Sequence, residues 1–130
     1  LKATVSPAAC ADDLADIPGT HFDAVLDLTH WLTLGFDRQR MQVMQSGSDR
    51  YGLSRDGGTV AVFPTTGPLR RAGFIFPEQT ERLLRGTSLI AEESFGGGHV
   101  VLFANEPMFR GWWRALDRLV LNAIALGGSF

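Results

Sequence analysis

The sequence is poor in several things, and each shortage excludes something. It holds one cysteine, Cys10, so it cannot form an internal disulfide. No apolar run approaches the ~20 residues that a membrane-spanning helix needs. It has no signal-peptide pattern and no initiator methionine, the chain beginning Leu1-Lys2. It lacks excess positive charge: 12 Lys and Arg stand against 14 Asp and Glu, a net charge of -2. A general nucleic-acid binder needs clustered bases to neutralise phosphates, so that class is set aside. The basic residues are nearly all Arg, scattered among acids, which reads as solvated surface and local ion pairs.

What remains fits one globular domain. The chain has 130 residues, 45% of them hydrophobic, enough to bury an ordinary core. Residues 1–20 are rich in Ala, Asp, Pro and Ser without a period, and read as a linker. Within them Asp12, Asp13 and Asp16 can open a short helical turn, which Pro18-Gly19 ends. A domain over residues 21–130 follows, read as a fragment of a longer protein. Strands are expected at 22–28, 41–45, 59–63, 72–76, 88–95 and 99–104, with a turn at Asp56-Gly57-Gly58. Pro77 to Gly86 has a helix signature: proline in the first turn, acids after it, arginine near the end and glycine as the stop. Trp112, Trp113, Leu116, Leu119, Val120, Ala123 and Ile124 recur at helical spacing, so a long helix is expected from Arg110 to Leu126. The fold class is α/β or α+β: a mixed sheet of five to six short strands, a C-terminal hairpin, and one long C-terminal helix packed on the sheet.

The motifs for chemistry are absent or incomplete. Gly96-Gly97-Gly98 leads into an apolar strand, with no lysine and no helix start, so it reads as a hairpin turn rather than a phosphate loop. The histidines His21, His30 and His99 have no second ligand at helical spacing, and read as strand residues that pack or bond locally. Cys10 lies in the linker, away from any nucleophile elbow. Glu92, Glu93 and Glu106 lie close in sequence, but neighbours on a strand point to opposite faces, so they read as exposed or edge-strand charge. Arg110, expected at the start of the long helix, opposes the helix dipole there and needs a partner such as Glu106. Candidate binding or interface residues are therefore His30, Trp31, His99, Glu106, Arg110, Trp112 and Trp113. The single tryptophans also fit the core.

Two separated segments carry a family resemblance. One runs from Pro18-Gly-Thr-His-Phe-Asp-Ala-Val-Leu-Asp-Leu to Phe36. The other is Gly97-Gly-His-Val-Val-Leu-Phe-Ala-Asn-Glu-Pro-Met-Phe-Arg-Gly111, continuing through Arg118-Leu-Val-Leu-Asn-Ala-Ile124. Together they resemble the late region of bacterial zinc carboxypeptidase-like proteins, relatives of carboxypeptidase A-type metallopeptidases. The resemblance spans about residues 18–126. It implies a glutamine-amidotransferase-like domain that lacks the nucleophile elbow. It places zinc and its His-x-x-Glu ligands in a separate upstream peptidase domain, so no cofactor and no catalytic or metal residue carries over to this chain. The implied role is a non-catalytic accessory domain, acting in domain packing, oligomerisation or substrate access. Its partners would be the upstream peptidase domain and further copies of itself, in the periplasm or outside the cell. The alternative is a small-molecule or peptide-binding domain with a pocket near His30, His99 and Arg110.

Overall fold

A computed structural model describes residues 17–130 except Gly57 and Pro77. It is an α+β fold: a curled antiparallel sheet of six strands with two α-helices. The strands are β1 (Ile17–Leu26), β2 (Arg40–Gly47), β3 (Thr59–Val62), β4 (Arg70–Ala72), β5 (Ser88–Phe95) and β6 (Gly98–Phe103). The helices are α1 (Gln79–Leu84) and α2 (Asp117–Leu126). The sheet order is β2-β1-β3-β5-β6, with β4 also pairing β1, and every pair is antiparallel.

Strand β1 organises the sheet because its two faces differ. Phe22, Ala24 and Leu26 are buried in the core, while His21, Asp23 and Val25 point to the outer face. Phe22 meets Phe63 edge-on at 6.1 Å. Val43, Ile90, Leu84, Leu116 and Leu119 close the same cluster. Burying a side chain of this size contributes about 1.5–3 kcal/mol.

The curl brings the sheet's two end strands toward one another, and amide side chains link them. Gln45 on β2 donates from Nε2 to the Ala104 carbonyl at 2.9 Å, and Asn105 donates from Nδ2 to the Met44 carbonyl at 2.8 Å. The exchange satisfies carbonyls at both ends of the sheet where no ladder reaches.

The glycine run is a tight turn between β5 and β6. Phe95 pairs with Gly98, and Gly96 takes φ 60°, which costs glycine little. The strand expected at 72–76 ends earlier, at Ala72. Gly73 has φ +100° and turns the chain out of the sheet, so Phe74 and Phe76 pack on each other at 5.3 Å instead. Strand β1 begins at Ile17, inside the segment read as a linker; residues 1–16, with Cys10 and the expected turn at Asp12–Asp16, lie outside the described residues. So do Pro77, the expected helix start, and Gly57 of the turn before β3.

The long C-terminal helix is corrected. Residues 109–111 form a 3-10 turn in which Arg110 has φ 51°, and α2 starts only at Asp117. The helical period in the sequence runs upstream through Trp113, but its ring is held by a tertiary contact. It stacks on His21 of β1 at 4.6 Å and 16°. That contact outweighs helix continuation.

Gly58, just before β3, is a place where a side chain cannot fit. Its carbonyl accepts from the Glu92 N–H at 2.6 Å, and a Cβ would meet the Glu92 carbonyl oxygen at 1.8 Å. Gly58→Ala must push β3 and β5 apart. We expect a loss of about 2 kcal/mol or more, read as a lower urea midpoint with the m-value kept. An unchanged midpoint would contradict the close approach.

Candidate functional site

Strand β5 carries five consecutive buried residues, Ser88 to Glu92. Alternation puts Glu92 on the same side as Ile90, the core side. Glu92 is only 8% exposed, so the reading of it as exposed or edge-strand charge is corrected. The reason is position: β5 lies inside the sheet, between β3 and β6, and both its faces are covered. A buried carboxylate needs partners, and three elements supply them.

The first is β6. Glu92 pairs with Val101, so His99 is its diagonal neighbour on the same face. His99 Nδ1 lies 2.5 Å from Glu92 Oε1. The other ring nitrogen, Nε2, lies 2.5 Å from the Phe130 carbonyl oxygen. Both nitrogens face acceptors, an arrangement that favours the protonated ring, which can donate at both positions.

The second is a 3-10 turn, Trp31–Thr33, which follows β1. His30 caps it: Nδ1 accepts from the Leu32 N–H at 3.2 Å. The proton of a neutral His30 ring is therefore on Nε2, which faces Glu92 Oε2 at 3.6 Å. That is a charge contact rather than a hydrogen bond. Asp27 Oδ1 accepts from the Thr29 N–H and hydroxyl at 2.9 and 2.6 Å, which fixes the approach to the turn. Asn122 of α2 donates to the Leu32 and Leu34 carbonyls at 2.7 and 2.9 Å, holding α2 against it.

The third is the C-terminal segment. Trp31 stacks on Phe130 at 5.6 Å and 12°, and it also touches the rings of His30 and His99. The cluster is thus a buried carboxylate between two histidines under an aromatic lid.

Of the residues singled out from the sequence, the structure brings together His30, Trp31 and His99, around a Glu92 that the sequence reading left on the surface. Glu106 and Arg110 take no part. Arg110 is not at the start of α2, so the dipole argument for a Glu106 partner does not apply. Its guanidinium lies over the Phe109 ring at 5.0 Å instead. The residue in the first turn of α2 is Asp117, paired with Arg114 at 2.9 Å. Trp112 is 57% exposed and Trp113 half-buried on His21.

A second buried carboxylate, Asp23, sits on the outer face of β1. Arg71 grips it from Nε at 2.8 Å and from a terminal nitrogen at 2.6 Å, a two-pronged pair. Arg40 reaches it more weakly at 3.4 Å. Both buried carboxylates are therefore already matched by side-chain partners from the chain. The histidine cluster also does not fit a metal. Both nitrogens of His99 are committed to acceptors and Nδ1 of His30 to an amide. Among the described residues no group of three or more His, Cys, Asp or Glu is placed to hold one.

No protein-family model matches this chain, and searches of characterised proteins and of solved structures return no match either.

The cluster has a pH signature. The Phe130 carbonyl, then the Glu92 hydrogen bond and its charge, raise the His99 pKa above 6.5, against a smaller opposing effect of burial. The folded state thus holds this proton more tightly than the unfolded chain. The stabilisation is complete below pH 6.5 and is lost as pH rises through the raised value. We expect the urea midpoint to fall over that window and His99→Gln to remove the slope. An equal slope in the variant would refute the assignment. Asp27 behaves oppositely. The Thr29 hydroxyl, its N–H and the nearby His30 lower its pKa below 3.8, so its contribution is present above that value and lost as pH falls through the lowered one. Asp27→Asn should flatten the acid side of the same curve.

Proposed function

We propose that this chain is a non-catalytic accessory domain of a bacterial zinc carboxypeptidase-like protein, packing against the peptidase domain of the same protein. The family is suggested by the two resembling segments. The observation that carries the docking role is the outer face of α2. There Leu121 and Ile124, one helical turn apart, are 63% and 77% exposed. Trp112, in the connection leading to that helix, adds another exposed apolar surface. Isolated apolar residues are ordinary on a protein surface, but several within one short C-terminal segment favour a covered face. The lack of an uncommitted carboxylate in the histidine cluster supports the non-catalytic part of the reading. The same fact weakens the alternative of a ligand pocket at His30, His99 and Arg110, because Glu92, Trp31 and Phe130 fill the space between the two histidines. Export to the periplasm or beyond belongs to the same proposal. No described helix is long and apolar enough to cross a membrane.

The test has two arms. The reading frame around this segment should encode an upstream peptidase domain with a His-x-x-Glu motif; a start codon directly before Leu1 would sink the proposal. In solution, the isolated chain should self-associate through the uncovered face at micromolar concentration, and Leu121→Glu with Ile124→Glu should restore the monomer in sedimentation velocity. Both positions are exposed, so the fold should survive. A chain monomeric throughout would remove the apolar-face argument.

A further inference from the structure

The outer face of the sheet holds a groove away from the histidine cluster. The strand register builds its floor. Arg40 on β2 is opposite Val25 on β1, and Val25 is opposite Val62 on β3, so the three side chains form a row across three strands. Leu53 and Pro64 add apolar walls, Phe63 lies beneath, and Thr65 and Thr66 stand at the rim. The volume is about 330 Å3, near the lower end of the range for small-ligand sites. Leu53 is 55% exposed, a large apolar side chain facing the opening.

The rim is rigid. Arg85 donates to the Pro64 and Gly67 carbonyls at 3.2 and 3.0 Å, and Gly86 N–H donates to the Phe63 carbonyl at 3.0 Å. A groove already held in shape loses less entropy on binding.

Its charge is one-sided. Arg40 is the one ionised side chain among the lining residues. Its nearest acid, Asp23, is already gripped by Arg71 through both oxygens, leaving Arg40 a long 3.4 Å contact. Two guanidinium groups face one carboxylate, so this end of the groove keeps a net positive charge. The Arg40 side chain is 54% exposed and its remaining N–H groups can turn to an incoming anion.

We propose that the groove binds a small amphipathic carboxylate, a medium-chain fatty acid. Its carboxylate meets Arg40, with the Thr65 and Thr66 hydroxyls within the same rim, and its acyl chain lies on Val25, Val62 and Leu53. The apolar floor has no donor or acceptor side chain for an amide in the body of the ligand, which favours a plain acyl chain over a peptide end. The inference rests on the groove alone and is independent of the accessory-domain reading.

The test is a titration of the whole chain with octanoate, followed by amide and methyl chemical shifts. Shifts should concentrate at Val25, Val62 and Leu53. Arg40→Gln should weaken octanoate about tenfold, the worth of one charge-assisted hydrogen bond, while Asp23 keeps Arg71 and the fold is retained. Leu53→Asp, at an exposed position, places an anion at the opening and should weaken it as much. Octylamine should bind no more tightly to the wild type than to Arg40→Gln. Shifts elsewhere, or octanoate binding unchanged in both variants, overturns the site. N-acetyl-leucine binding more tightly than octanoate overturns the acyl-chain assignment.

Discussion

A carboxylate held inside the end of a sheet must be neutralised by groups that come to it, and Glu92 imposes that condition here. Its strand is inside the sheet, and little of the side chain reaches solvent. His99 reaches it from the next strand, His30 from the turn after β1, and the Phe130 carbonyl faces the other ring nitrogen of His99. Each contact ties a separate element to this end of the sheet. The 3-10 turn is fixed by the ring of His30, α2 by Asn122 against that turn, and the C-terminal segment by Trp31. Gly58 belongs to the same arrangement, since only a residue without a side chain lets β3 approach the Glu92 backbone.

The two buried carboxylates are neutralised differently, and the difference has physical consequences. Asp23 is met by arginines, which stay charged at any pH a folded protein meets. Its pairing with Arg71 ties β4 to its neighbour β1. Glu92 is met by His99, whose pKa the Phe130 carbonyl and the Glu92 hydrogen bond raise. The end of the molecule that holds the C-terminal segment is therefore the pH-sensitive end. Asp23 also leaves a surplus cation, Arg40, beside an apolar groove, whereas the Glu92 cluster is closed by rings. The histidines are thus engaged with Glu92 and the C-terminal segment, and the open groove beside Arg40 lies on the opposite face of β1.

Much of the architecture was legible in local pattern. The β5–β6 hairpin follows from three glycines between apolar runs, and α1 from its acids and the glycine that follows it. The strands follow from β-branched and aromatic runs. Local pattern misled where a long-range contact competes with it. Trp113 keeps the helical spacing, yet its ring is taken by His21, more than ninety positions away in sequence, so α2 begins later. Phe74 and Phe76 continue an apolar alternation, yet Gly73 turns them out of the sheet. The adjacent Glu92 and Glu93 carry the sign of a surface strand. The clue against it was present in the buried run Ser88 to Ala91, which marks an inner strand, and alternation then sends Glu92 inward with Ile90.

Sequence alone determined the class of fold, the hairpin, the short helix and the lack of any spaced metal or nucleophile motif, because each depends on residues a few positions apart. Tertiary structure decided which strand is interior, which carboxylates are buried and what neutralises them. It paired Glu92 with His30 and His99, stacked Trp113 on His21, and aligned Arg40, Val25 and Val62 into one groove. Those outcomes depend on strand order and register, which bring together residues far apart in the chain, and no local period encodes them.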